Sequence, residues 1–235
     1  MVELIRGLEA EQVRAGLLRV RADLDEACAR AGRDPAGVEV LAATKYVALE
    51  DLPVLAAAGV GLVGENRAQD LQAKVAAHGE LFEWDFIGQL QSRRVRQIVP
   101  HVRLIHSVAS ESALRELERH RDSARDGLRI LIEVNVAGEA GKAGVAPEQL
   151  DAFIAAAPVP VAGLMTMPPL SGEAQDSRRW FAALRELAEA RGLEQLSMGT
   201  SQDYAVAAEE GATIVRVGAG LYAGPTSASA RSRSQ

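Results

Sequence analysis

Little in this chain could hold it together covalently or through a metal. Cys28 is its single cysteine, so no intrachain disulfide can form, and a reducing, cytoplasmic setting is expected. At helical spacing that cysteine is expected to be packing. The four histidines, His78, His101, His106 and His120, show no metal-ligand spacing, and neither HExxH nor GxSxG occurs. No metal site is expected. Positive charge does not prevail either: the formal net charge is −6, which argues against a general nucleic-acid footprint. Arg93, Arg94 and Arg96 form the one basic cluster, expected to be a solvated helix face. No run of about 18 apolar residues is present, and Glu3 and Glu9 interrupt the apolar residues at the start, so neither a membrane span nor a signal peptide is expected.

What the chain does have is enough apolar residues, 48% of 235, for a sizeable core. Val13, Leu17, Val20, Leu24, Ala27 and Ala31 recur at spacings of three and four, the stripe of a long first helix that Gly32 stops. A strand-then-helix pattern then repeats. Strands are expected at 38–44, 60–63, 83–87, 102–108, 129–136, 159–165, 195–198 and 213–217, each but the last followed by a helix. Such alternation calls for parallel strands with right-handed crossovers, and eight units close a (β/α)8 barrel. An open doubly wound sheet is the alternative, but no GxGxxG turn leads from a strand into a helix. No composition break marks a second domain, so residues 1–224 are expected to be one barrel; 225–235, rich in Ser, Ala and Arg, should be a disordered tail.

In such a barrel, chemistry sits at the carboxyl ends of the strands. Lys45 ends the first, after the apolar run Val38 to Thr44. Burying an ammonium is costly, so either its stem reaches water or its pKa falls and the neutral amine becomes a nucleophile for an aldehyde. Asn66, Thr166 and Ser201 end the second, sixth and seventh strands. Met198-Gly-Thr-Ser-Gln-Asp203 offers hydroxyls at a helix start, where either a phosphate or a Thr200/Asp203 capping box fits. Val215-Arg-Val-Gly-Ala-Gly220 adds small residues whose N–H groups can approach a second face of the same anion. Arg216 alternates with Val215 and Val217 and faces either the barrel interior or the helix layer. Facing inward, it forms a structural ion pair or donates to a ring nitrogen. His106 is expected to be a hydrogen-bonded interior residue. Lys142, among Gly138, Gly141 and Gly144, is expected to be a loop lysine within reach of an anion.

Together these segments resemble the pyridoxal phosphate homeostasis protein family, also called the PLP-binding protein or YggS/PROSC family. The matching stretches are Leu41-Ala-Ala-Thr-Lys45, Gly64-Glu-Asn66, Trp84-Asp-Phe-Ile-Gly88 with Leu90-Gln-Ser92, and Ile105-His-Ser107. They continue through Glu133-Val-Asn135, Lys142-Ala-Gly144, Gly163-Leu-Met165, Leu196-Ser-Met-Gly199 with Ser201, and Val215-Arg-Val-Gly218. The resemblance implies a single alanine-racemase-like barrel of PLP fold type III, with an extra N-terminal helix and no C-terminal β-domain. It implies pyridoxal 5'-phosphate held as a Schiff base on Lys45, phosphate contacts from Ser201, Gly218 and Ala219, Arg216 at the pyridine nitrogen, and Asn66 and Met165 near the ring. Two positions depart from the family: Ala219 replaces the usual threonine, and Tyr46-Val47 replaces the commoner threonine-lysine pair. The implied function is to bind, buffer and deliver PLP, possible recipients being PLP-dependent apoenzymes, with no catalytic residues and no robust turnover. Without a β-domain the face of PLP would lack a second acid/base group and protection from water. A monomer is expected, with no nucleic acid or membrane partner. The alternatives are a minimal PLP-dependent racemase using Tyr46 or His106 as second base, and a cofactor-free Schiff-base aldolase.

Overall fold

A computed structural model describes residues 4–169 and 172–222; the expected tail at 225–235 lies outside the described residues. Eight parallel strands close into a barrel in chain order: β1 (Glu39–Ala43), β2 (Leu62–Glu65), β3 (Glu83–Phe86), β4 (Leu104–Val108), β5 (Arg129–Glu133), β6 (Val161–Met165), β7 (Gln195–Thr200) and β8 (Ile214–Val217). β8 pairs with β1, Leu41 opposite Arg216, so β7, β8 and β1 are neighbours. The helices are α1 (Ala10–Arg30), α2 (Leu52–Ala57), α3 (Ala68–His78), α4 (Val95–Ile98), α5 (Glu111–Arg119), α6 (Leu150–Ala155), α7 (Arg178–Glu189), α8 (Tyr204–Glu209) and α9 (Ala219–Tyr222). The letters GxGxxG do occur, at Gly59–Gly64, but they run into and along β2 and lead from no strand into a helix.

Period-two alternation divides the strand side chains between two apolar layers. Outward residues such as Val40, Val63, Trp84, Ile105, Ile130, Leu164, Val215 and Val217 pack beneath the helices. Inside, Leu41, Leu62, Leu104, Leu131, Met165 and Ile214 form a smaller cluster. Two positions beyond Leu104, Leu131 and Ile214 the interior side chains are His106, Glu133 and Arg216, and with Asp85 of β3 and Ser197 of β7 these polar residues are all buried. The barrel interior therefore combines a leucine-rich cluster with a set of buried polar and charged residues.

The extra helix α1 packs on α8, α9 and α2. Cys28 is buried on it. Ahead of the helix, buried Asp51 accepts the backbone N–H groups of Gly7 and Leu8, at 3.1 and 3.0 Å, tying the entering segment to the loop after β1. Ser110 caps α5 by accepting from the Ala113 N–H. Gly16 is where α1 meets α9: a Cβ there would stand 2.4 Å from the Leu221 carbonyl oxygen. Gly16→Val should therefore destabilise the fold by about 1–3 kcal/mol through overpacking, read as a lowered melting midpoint.

Candidate functional site

β1 delivers Lys45 to the carboxyl-end mouth of the barrel, two residues beyond the strand and in a turn. Its side chain is exposed, with Nζ 4.9 Å from the centroid of the exposed Tyr46 ring. Of the two outcomes foreseen for this lysine, the side chain has reached water. The backbone before it is held firmly. Tyr222 donates its hydroxyl to the Ala43 carbonyl at 3.2 Å, and Lys74 of α3 donates to the Thr44 carbonyl at 2.7 Å. Lys74 also pairs at 2.5 Å with Glu65, whose carboxylate accepts the Thr44 hydroxyl at 2.6 Å. Both members of this pair are buried, and the helical pattern of α3 concealed the part Lys74 plays in holding the end of β1.

At β7 the backbone turns on Gly199, whose φ of +87° and lack of a Cβ, which would fall 2.5 Å from that of Ala207, admit only glycine. Ser201 follows and accepts the Gly218 backbone N–H at 3.2 Å. Thr200 does not cap the next helix, as the sequence allowed, because α8 begins only at Tyr204. Its hydroxyl and N–H both go to Asp203, at 3.1 and 2.7 Å. Gly218 and the exposed Ala219 lead into α9. Lys45, Ser201 and the Gly218–Ala219 turn thus stand at the ends of three adjacent strands. Asn66 is half-buried just beyond β2, and Met165 lies in the interior cluster below.

Arg216 faces the barrel interior. Its guanidinium donates to the Ser197 hydroxyl, to the Thr166 carbonyl at 3.0 Å and to the Met167 sulfur at 2.9 Å. Burial pulls its pKa down to about 10, against the opposing pull of Asp203 and Glu133. Behind Ser197, His106 lies 2.8 Å away through Nδ1, and its Nε2 is 3.1 Å from Asp85. Asp85 in turn accepts from Arg103, which also pairs with Glu39 at 2.8 Å. His106 is therefore the hydrogen-bonded interior residue that was expected. Burial holds its pKa below the usual histidine value; the Asp85 carboxylate opposes this, and the Arg216 and Arg103 charges add to it. Glu133, at the end of β5, has its carboxyl pushed up by burial, against Arg216 and Lys142.

Several of the quoted motifs hold loops. Asn135 closes on Glu139 at 2.9 and 3.2 Å, Lys142 pairs with Glu139, and Ser107 donates to the Gly88 carbonyl. Among the described residues no group of three or more His, Cys, Asp or Glu could hold a metal, and no helix is long and apolar enough to cross a membrane.

A family model for the alanine racemase N-terminal domain matches residues 16–225. A pyridoxal phosphate homeostasis protein of Aquifex aeolicus is 39% identical over 217 residues, covering 88% of this chain and 95% of the relative. Its counterpart from Pseudomonas aeruginosa is 38% identical and covers 88% and 93%. The chain belongs to the pyridoxal phosphate homeostasis protein family. Among solved structures, PipY from Synechococcus elongatus with PLP bound shares the fold at a TM-score of 0.74 and 29% identity, covering 90% of this chain and all of that one. Alanine racemase from Corynebacterium glutamicum, at 15% identity and a TM-score of 0.63, shares the barrel alone and is covered over 62% of its length.

Two tests follow for this homeostasis-family barrel. Lys74→Met strands a buried carboxylate and should cost about 3–5 kcal/mol in denaturant unfolding, whereas Lys74→Met with Glu65→Leu should recover most of that loss. His106 binds its proton less readily folded than unfolded, so its contribution to stability is present above the unfolded pKa near 6.5 and declines as pH falls below it. Stability should fall with acid by up to about 1.4 kcal/mol per pH unit from this group, and His106→Gln should flatten the slope.

Proposed function

We propose that this chain binds pyridoxal 5'-phosphate at the carboxyl-end mouth of its barrel, stores it and hands it to PLP-dependent apoenzymes in the cytoplasm, without turning over an amino acid. The observation that carries this reading is the placement of a primary amine, a hydroxyl with backbone donors, and an inward guanidinium on the neighbouring strands β1, β7 and β8. The residues fit the cofactor. The Ser201 hydroxyl, whose oxygen already accepts the Gly218 N–H, and the Ala219 N–H supply donors for a phosphate, and the exposed Lys45 amine is accessible to an aldehyde. Arg216 would donate to the pyridine nitrogen, and Asn66 and Met165 would border the ring. Ala219 offers its N–H alone, and the Thr200 hydroxyl already donates to Asp203, so the phosphate rests mainly on Ser201.

When bound, PLP supplies a reactive aldehyde and an electron-withdrawing ring. A guanidinium at the ring nitrogen cannot accept its proton and holds that nitrogen as an acceptor, which weakens the electron sink. Racemisation needs a second base and a site shielded from water. His106, one of the two candidate bases, is fully buried and bonded on both nitrogens, while Tyr46 stands in solvent beside Lys45. The curated relatives bear the name of homeostasis proteins, and this chain spans 95% of the length of the one from Aquifex aeolicus.

The test is the visible absorption spectrum of purified protein with added PLP. The wild type should gain a band that Lys45→Ala lacks, and Ser201→Ala should keep the band while binding about tenfold or more weakly. Absence of the band in wild type overturns PLP binding. Racemisation or decarboxylation on the order of 10 per second overturns the non-catalytic part.

A further inference from the structure

The interior polar residues form one continuous chain, and the donors in it determine where each proton lies. Arginine has donors only, so at the Arg216–Ser197 contact the serine oxygen accepts. Among the described residues the other partner of that hydroxyl is His106 Nδ1, at 2.8 Å, so the serine proton must point there. Nδ1 is then bare, and Nε2 carries the ring proton and gives it to Asp85 at 3.1 Å. Asp85 also receives Arg103 Nε at 3.0 Å, and Arg103 makes a second, two-pronged pairing with Glu39 at 2.9 and 2.8 Å. Every donor points the same way, from Arg216 through Ser197 and His106 to the Asp85 carboxylate. Asp85, His106 and Ser197 are fully buried, so no solvent competes for these contacts.

We infer that His106 is a positioning residue for Arg216: as a neutral Nε2–H imidazole clamped by Asp85, it turns the Ser197 hydroxyl so that its oxygen lone pairs hold the guanidinium from behind. This rests on the reading of Arg216 as the group facing the PLP ring. A doubly protonated His106 would present Nδ1–H to Ser197 and leave the serine proton with no acceptor. The Arg216 and Arg103 charges on either side disfavour that form, and among the described residues the Asp85 carboxylate is the charge that opposes them. The chain thus fixes the orientation of Arg216. It ends at the Arg103–Glu39 pair beside the amino ends of β1 and β4, far along the barrel from Lys45.

The decisive measurement needs no ligand. Nitrogen-15 NMR of the histidine rings in wild-type protein without PLP should show one neutral imidazole protonated on Nε2, absent from His106→Asn, that stays neutral through the pH range where exposed histidines titrate. A ring protonated on Nδ1, or charged near neutral pH, overturns the proposal. PLP titrations then test the link to the site. Asparagine can still accept from Ser197 through its carbonyl, whereas leucine cannot. His106→Leu should weaken PLP binding about tenfold or more and shift the absorption maximum, while His106→Asn restores most of the affinity. Ser197→Ala should reproduce the leucine phenotype, and it serves as the test if His106→Leu does not fold. An unchanged affinity and maximum in folded His106→Leu or Ser197→Ala overturns positioning. Failure of wild type to take up PLP would overturn the binding reading, and the NMR result would still decide the proton order.

Discussion

A permanent cation inside a closed barrel has to be satisfied, and Arg216 sets that demand for this structure. Isolated, a buried guanidinium would cost several kcal/mol. Here it is surrounded by acceptors from β7 and the segment that follows β6: the Ser197 hydroxyl, the Thr166 carbonyl and the Met167 sulfur. Ser197 then requires His106, and His106 requires Asp85. The cluster of Leu41, Leu62, Leu104, Leu131 and Ile214 shares the barrel interior with this chain and keeps its surroundings apolar and its contacts strong.

The two basic residues of the mouth are held by opposite strategies. Arg216 is immobilised by hydrogen bonds to its own head group. Lys45 has a free side chain on a fixed backbone, since Tyr222, Lys74 and Glu65 secure Ala43 and Thr44 while the amine stands in solvent against Tyr46. A rigid donor and an accessible amine suit a protein that takes up and releases a carbonyl cofactor. A site for proton abstraction would need the lysine shielded and a partner base opposite it.

Much of this was legible along the chain. The alternation of strand and helix signals placed all eight strands within a few residues, because apolar period and glycine punctuation are local properties. Lys45, Ser201, Gly218 and Arg216 stood out because they end or interrupt such runs. Lys74 did not stand out, since a lysine within an amphipathic helix looks like any solvated residue until Glu65 is seen beneath it. Asp85 and Ser197 were equally hidden: each is a polar residue set between apolar neighbours in its strand, and a partner lies 21 or 19 positions away. The sequence also left Thr200 open as a helix cap, a matter decided by where α8 begins.

By itself the amino-acid order determined the (β/α)8 architecture and the strand ends where chemistry gathers, because side-chain periodicity and chain connectivity allow few other solutions. Only the tertiary structure decided that Arg216 points inward, that Lys45 reaches water, and that His106 is bonded on both nitrogens and unavailable at the mouth. Those outcomes depend on the closure of β8 onto β1 and on contacts between residues distant in sequence, and no local pattern encodes the partner of a buried polar group.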